Sequence, residues 1–284
     1  MFPKITLGVN GDTNLIKSRL YNHPECAFPI SVAKGRESET ITYISLEPLD
    51  DVFVLDRYVN VLAEYIMERY ETRLIRRILE ESYSDLSALS KREIIKGIAR
   101  FSDDEQIGYN ARKHAVLLNI YDYFQEESLM LIDGFVTFRL KEYEAILERL
   151  TEALVEDYIT QKEYEEFIAL LKYFVTIQKP RPPFTHVCVD KKGQGYRILD
   201  ESGEDITVKC FSDFAEGEVL LTEEAYDDLL ISVLITLAPE KIIIHGGEHI
   251  TNKELFSTIG RVFENHVSYC SGCEICRSFD EVLP

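Results

Sequence analysis

Three cysteines recur at every third position near the C-terminal end of the sequence. Cys270, Cys273 and Cys276 lie in the segment YCSGCEICRSF. Thiolate side chains bind zinc and iron–sulfur clusters, and closely spaced thiols also carry out redox chemistry. The spacing therefore predicts a metal site or a redox site, and it is also compatible with unreactive thiols that only happen to lie close together.

Two histidines come from a segment that we expect to lie beside these cysteines. The run EKIIIHGG is typical of a buried strand that ends at His245, NKELFSTIGRVF of a helix, and HVSYC of a strand that ends at Cys270. Such a strand–helix–strand unit has parallel strands, whose carboxyl ends share one edge of a sheet. The pattern predicts that His245, and with it His249, lies near the three cysteines as a metal ligand.

The predicted ligands suit more than one metal. Three cysteines and a histidine are a common donor set for tetrahedral zinc. The spacing C-x2-C-x2-C also matches part of the bacterial ferredoxin run, although the fourth cysteine and the proline of that run are absent. Zinc and an iron–sulfur cluster are therefore both candidate cofactors. The remaining cysteines, Cys26, Cys188 and Cys210, are predicted to be buried packing residues.

The sequence lacks the common motifs of catalysis and nucleotide binding. It contains neither a G-x-S-x-G nucleophile motif nor a G-x-G-x-x-G or G-x-x-x-x-G-K-[ST] phosphate loop. We therefore expect a non-enzymatic factor that acts through protein partners. The alternative is a redox protein or enzyme that uses the three cysteines.

A second alternative is nucleic-acid binding through a basic region between Arg69 and Lys113. Its members are Arg69, Arg73, Arg76, Arg77, Lys91, Arg92, Lys96, Arg100, Arg112 and Lys113. Glutamates such as Glu64 and Glu71 are interspersed with these bases, so a helix face with internal ion pairs is the favoured interpretation. We expect no nucleic-acid partner.

Composition supports the same expectation. The chain has 31 lysines and arginines against 50 aspartates and glutamates, a net charge of −19, which disfavours broad binding to nucleic acids or anionic membranes. The longest apolar stretch, LLISVLITLAP, is shorter than the ~20 residues that a bilayer requires. We see no secretory signal, and we expect a cytoplasmic protein without membrane insertion.

The arrangement of periodic segments predicts an α+β fold in three parts. Residues 1–50 form a strand-rich segment, 51–180 a multi-helix body, and 181–284 an α/β segment with the βαβ-like unit and the cysteine tail. The run KPRPP marks the second boundary, because prolines stop a helix. Within the body, Thr160 and Glu163 match a capping box, which predicts that one helix ends near Tyr158 and another begins at Gln161.

The central block resembles a known family. LIDGFVTFRLKEYEAILERLTEALVEDYITQKEYEEFIALLKYFVTIQ and the tail CSGCEIC are similar to the YtxC-like family of sporulation proteins from endospore-forming bacteria. The similarity extends from about residue 70 to Cys276. The resemblance implies a cytoplasmic protein linked to sporulation, and it transfers no catalytic residue.

Overall fold

The computed structural model describes residues 4–11, 13–21, 30–34, 41–46, 52–178, 182–190, 195–212 and 223–281. The fold is α+β, as the sequence predicts. Contacts within the chain group it into two compact units, Met1–Thr160 and Gln161–Pro284. A domain is defined by independent folding, which this grouping does not test, so the division into 1–50, 51–180 and 181–284 stays a prediction.

The first unit contains a four-stranded sheet, which is formed by β1 (Ile5–Asn10), β2 (Ile30–Lys34), β3 (Ile41–Leu46) and β4 (Leu129–Leu131). The strand order in this sheet is β2-β3-β1-β4. Strands β2 and β3 form the predicted antiparallel pair, β3 also pairs antiparallel with β1, and β1 is parallel to β4. The predicted loop between β2 and β3 lies outside the described residues.

Helices supply most of the first unit's core. Apolar residues recur along the helix Val52–Ser82 with a period of three to four, so that Tyr58, Leu62, Tyr65 and Ile66 all face inward and are fully buried. The helices are α1 (Asn14–Tyr21), α2 (Val52–Ser82), α3 (Ala88–Lys96), α4 (Tyr109–Glu126), α5 (Ile132–Phe138) and the first part of α6 (Lys141–Ile177), with a 3-10 turn at Gly97–Phe101.

The helix break predicted from the capping-box pattern of Thr160 and Glu163 is wrong. Helix α6 runs without a break from Lys141 to Ile177. Thr160 is exposed on a helix that supplies apolar residues on both sides of this position, including Leu154 in the first unit's core and Ile168 in the second's. Burial of these faces outweighs the local preference of a threonine for a helix start.

The second unit contains a mixed sheet, which is formed by β5 (Thr185–Val189), β6 (Tyr196–Leu199), β7 (Ile242–His245) and β8 (Val267–Tyr269). The strand order in this sheet is β6-β5-β7-β8. Strand β6 pairs antiparallel with β5, while β7 pairs parallel with β5 on one side and with β8 on the other. The predicted strand–helix–strand unit is therefore present. The helices of this unit are α7 (Thr207–Ser212), α8 (Glu223–Leu237), α9 (Lys253–Phe263) and α10 (Glu274–Glu281).

Alternation along these strands separates two faces of the second sheet. Val187, Val189, Ile242 and Ile244 point into the hydrophobic core. Because side chains alternate along a strand, the residues next to them occupy the opposite face. His245, which directly follows Ile244, is one of these residues, and this is the face on which the candidate site is built.

Candidate metal centre

The carboxyl edge of the parallel strands brings His245 and Cys270 together. His245 is the last residue of β7, and Cys270 directly follows β8. The backbone N–H of Cys270 donates to the carbonyl oxygen of Ile244 at 2.8 Å, so the ladder between the strands continues up to the first cysteine. Parallel pairing therefore fixes the first two members of the site.

Gly246 lets the chain turn away immediately after His245. Its backbone is left-handed, with φ 68° and ψ 32°, and a Cβ atom at this position would lie 2.7 Å from the carbonyl oxygen of Val189. Only glycine adopts this conformation in such a close approach without strain. Gly246 therefore permits the sharp turn that directly follows His245.

A tight turn and a short helix add the other two cysteines. Gly272 has φ 115°, and its N–H points at the sulfur of Cys270 across 3.4 Å. Cys273 directly precedes α10, and Cys276 lies in the first turn of that helix. The spacing of three residues thus places both sulfurs on the same side of the helix N-terminus, where N–H groups favour negative charge.

Four donor atoms converge at this point. Nδ1 of His245 and the sulfurs of Cys270, Cys273 and Cys276 all lie within 4.8 Å of one another. The sulfur of Cys276 is 3.7 Å from that of Cys270 and 3.8 Å from that of Cys273. Nδ1 of His245 is 3.3 Å from the sulfur of Cys276 and 3.5 Å from that of Cys273.

These distances match the edges of a zinc tetrahedron. Zinc–sulfur bonds of ~2.3 Å and zinc–nitrogen bonds of ~2.0 Å give edges of about 3.8 Å between two sulfurs and about 3.5 Å between sulfur and nitrogen. Four of the six separations are thus close to the edges of a zinc tetrahedron, and the other two are at most 4.8 Å. The chemistry of the donors, three thiolates and one imidazole, also fits zinc.

Burial keeps the imidazole in the form that binds metals. His245 is 3% exposed, and its burial, together with the neighbouring His186, lowers its pKa below the ordinary value. A neutral imidazole has a free lone pair on one ring nitrogen, which a metal ligand requires. His245 is therefore prepared as a neutral donor at neutral pH.

The thiols of the α10 turn differ from each other. Burial tends to raise the pKa of Cys273, but N–H groups of Cys276 and Ile275 and the neighbouring thiols outweigh it, so that the pKa is lowered. Burial raises the pKa of Cys276 to about 11 in the metal-free protein. A bound cation would deprotonate both thiols, because a coordinated sulfur is a thiolate.

The other predicted residues have clear places in the structure. His249 is not one of the four grouped residues, and its Nε2 lies 3.7 Å from a carboxylate oxygen of Glu248. Cys188 and Cys210 are buried, as predicted, and burial raises the pKa of Cys188 to about 12. Cys26 lies outside the described residues.

His186 is the residue that sequence reasoning missed. Its Nδ1 lies 2.9 Å from Nε2 of His245, on the side of the ring opposite the sulfurs. Alternation in the segment THVCV places His186 and Cys188 on one face of β5, and Cys188 is the register partner of His245. The missing information was the pairing of β5 with β7, which joins residues far apart in sequence.

Five of the ten residues in the basic region between Arg69 and Lys113 form ion pairs within the first unit. Arg112 is buried, its Nε donates to Glu71 at 3.0 Å, and Tyr143 donates to the same carboxylate oxygen. Further pairs join Arg77 to Glu144, Lys96 to Glu93, Arg100 to Asp157, and Lys113 to Glu64. These pairs support the interpretation as an internally balanced helix surface.

No helix among the described residues is both long enough and apolar enough to cross a bilayer.

Comparison with known proteins identifies the family. The model of the YtxC-like family matches residues 57–268. The chain belongs to the YtxC-like family. A relative among curated proteins is the Uncharacterized protein YtxC of Bacillus subtilis (strain 168), which is 24% identical over 239 residues that cover 81% of this chain and 82% of that protein. No solved structure matches the chain. The family match of this YtxC-like protein includes His186 and His245 and ends just before Cys270.

Proposed function

We propose that this YtxC-like protein is a sporulation-associated cytoplasmic factor that acts through protein partners and holds one structural zinc ion. The ligands are Nδ1 of His245 and the thiolates of Cys270, Cys273 and Cys276. The observation that carries the proposal is the grouping of these four atoms at the spacing of a zinc tetrahedron. The link to sporulation and the cytoplasm rests on the resemblance of the central block and the cysteine tail to the family.

A structural role follows from the number of donors. Four protein ligands fill the coordination positions of tetrahedral zinc and leave none for a water molecule or a substrate, which is typical of structural sites. The ion would join the end of β7 to the turn after β8 and to α10. Strand β8 has three residues and α10 has eight, so these short elements gain most from such a link.

The spacing of the sulfurs also supports a single ion over an iron–sulfur cluster. In a cluster the cysteines are divided among two or more irons, so the thiolates surround a group of several atoms. Sulfurs that are 3.7 and 3.8 Å apart surround one point instead. An iron–sulfur or thiol redox protein is the alternative that the experiment must exclude.

Metal content and absorption of tag-free protein, purified without oxygen, test the proposal. We expect about one zinc per chain and no visible chromophore. The triple variant Cys270→Ser, Cys273→Ser, Cys276→Ser should lose the metal, whereas Ser271→Ala, an exposed change in the same turn, should retain it. Metal-free protein with three freely titrating thiols, or a brown protein that contains iron and sulfide, would contradict the proposal.

The sporulation role has its own test. We expect deletion of the gene in a spore-forming host to reduce the frequency of heat-resistant spores, and the wild-type gene to restore it. The triple cysteine variant should fail to restore it, while Ser271→Ala should succeed. Normal spore counts after deletion would refute the proposed role without affecting the metal site.

A further inference from the structure

The environment of His245 points to a role for a residue that binds no metal itself. We propose that His186 is a positioning residue, which accepts the Nε2 proton of His245 and thereby holds Nδ1 of His245 free for the metal. The inference rests on the proposed zinc site. It adds a second layer of residues to that site and explains how the buried imidazole is oriented.

The two ring nitrogens of His245 face different partners. Nδ1 lies 3.3 and 3.5 Å from two sulfurs, and Nε2 lies 2.9 Å from Nδ1 of His186. A neutral imidazole carries its proton on only one nitrogen. If Nδ1 binds the ion, the proton must be on Nε2, and Nε2 must then donate to an acceptor.

His186 supplies that acceptor only as one tautomer. Its Nδ1 accepts the proton of His245 when its own proton is on Nε2. Metal-bound histidines commonly donate their other N–H in this way, which fixes the ring and raises its basicity.

The sheet holds the two rings in this relation. His186 is on β5 and His245 on β7, which are adjacent parallel strands, and Cys188 is the register partner of His245. The ring centroids are 5.1 Å apart, and the ring planes are inclined by 38°. Because both backbones belong to the same ladder, the hydrogen bond is set by strand pairing and does not depend on a loop.

Zinc affinity of the full chain, measured by competition with a chromophoric chelator, tests the role of His186. We expect His186→Ala to weaken zinc binding about 10- to 100-fold. His186→Asn should stay within about threefold of the wild type, because Oδ1 of asparagine occupies the place of Nδ1 and accepts the same proton. His114→Ala, an exposed change on α4 of the first unit, is the control and should have no effect.

The tautomer of His245 provides a readout that a simple loss of stability would not change. Long-range ¹H–¹⁵N spectra should show the proton on Nε2 in the metal-free and in the zinc-loaded wild type. In metal-free His186→Ala both tautomers should be populated. A proton on Nδ1 in the wild type, or equal affinity and tautomer in wild type and His186→Ala, would overturn the inference. If the wild type binds no zinc, the proposed function fails, and the metal-free spectra still decide the role of His186.

Discussion

At the scale of single residues, the proposed ligands differ in their tendency to bind protons before any metal is present. His245 is neutral and buried, Cys273 has a lowered pKa, and Cys276 has a pKa raised to about 11. The two thiols are three residues apart and share one helix turn, yet two N–H groups, those of Ile275 and Cys276, lower the pKa of the first thiol, whereas burial dominates at the second. The local geometry, and not the residue type, therefore decides which thiol ionises first.

Thiol reactivity of the metal-free protein follows from this difference. At pH 8 a thiol with a pKa of about 11 is ionised to only ~0.1%, and the thiolate is the reactive form. We expect iodoacetamide to modify Cys273 at least about tenfold faster than Cys276, after allowance for the lower nucleophilicity of a more acidic thiol. Peptide mass spectrometry over a time course measures both rates.

Cys188 is an internal control in the same experiment. Its burial and its pKa of about 12 predict almost no modification in the folded protein. Raising the pH toward 11 should narrow the difference between Cys273 and Cys276, because the second thiol then ionises. Equal rates for these two cysteines at pH 8 would show that the N–H groups of α10 do not act on Cys273.

At the scale of elements, the sequence predicts those features that depend on local pattern. The strand ending at His245, the helix after it and the strand ending at Cys270 all follow from periodicity, and the structure confirms them. The contact of His186 with His245 could not be predicted, because it depends on which strands pair. Helix α6 shows the converse case, in which a local capping signal is outweighed by packing along the whole helix.

Two substitutions distinguish a real helix cap from an apparent one. The hydroxyl oxygen of Ser87 accepts from the N–H of Ser90 at 3.1 Å at the start of α3. Ser87→Ala should therefore lower the free energy of unfolding by ~1 kcal/mol. Thr160→Ala should be neutral or stabilising by up to ~0.7 kcal/mol, because Thr160 lies inside α6 and alanine favours helices.

Urea unfolding followed by circular dichroism measures both changes. The expectation assumes that the unit containing the substitution unfolds in one resolved transition. A loss of about 1 kcal/mol for Thr160→Ala would mean that Thr160 caps a helix after all. That result would restore the predicted break between Tyr158 and Gln161.

At the scale of the whole molecule, the candidate chemistry of the described residues lies at one edge of the second unit. The four grouped residues and His186 all belong to Gln161–Pro284. The first unit carries the ion pairs around Glu64, Glu71 and Arg112 and, among its described residues, has no comparable group of metal donors. A zinc ion in the second unit is thus the most specific claim that the fold supports.

X-ray absorption at the zinc edge of the purified protein tests this claim most directly. The account predicts three sulfur neighbours at ~2.3 Å and one nitrogen neighbour at ~2.0 Å, with His245→Ala losing the nitrogen contribution. Two nitrogens would bring His249 into the site, and an oxygen neighbour would indicate an open position for chemistry. Either of these results, or an absorption edge of iron in place of zinc, would contradict a closed structural site of three cysteines and His245.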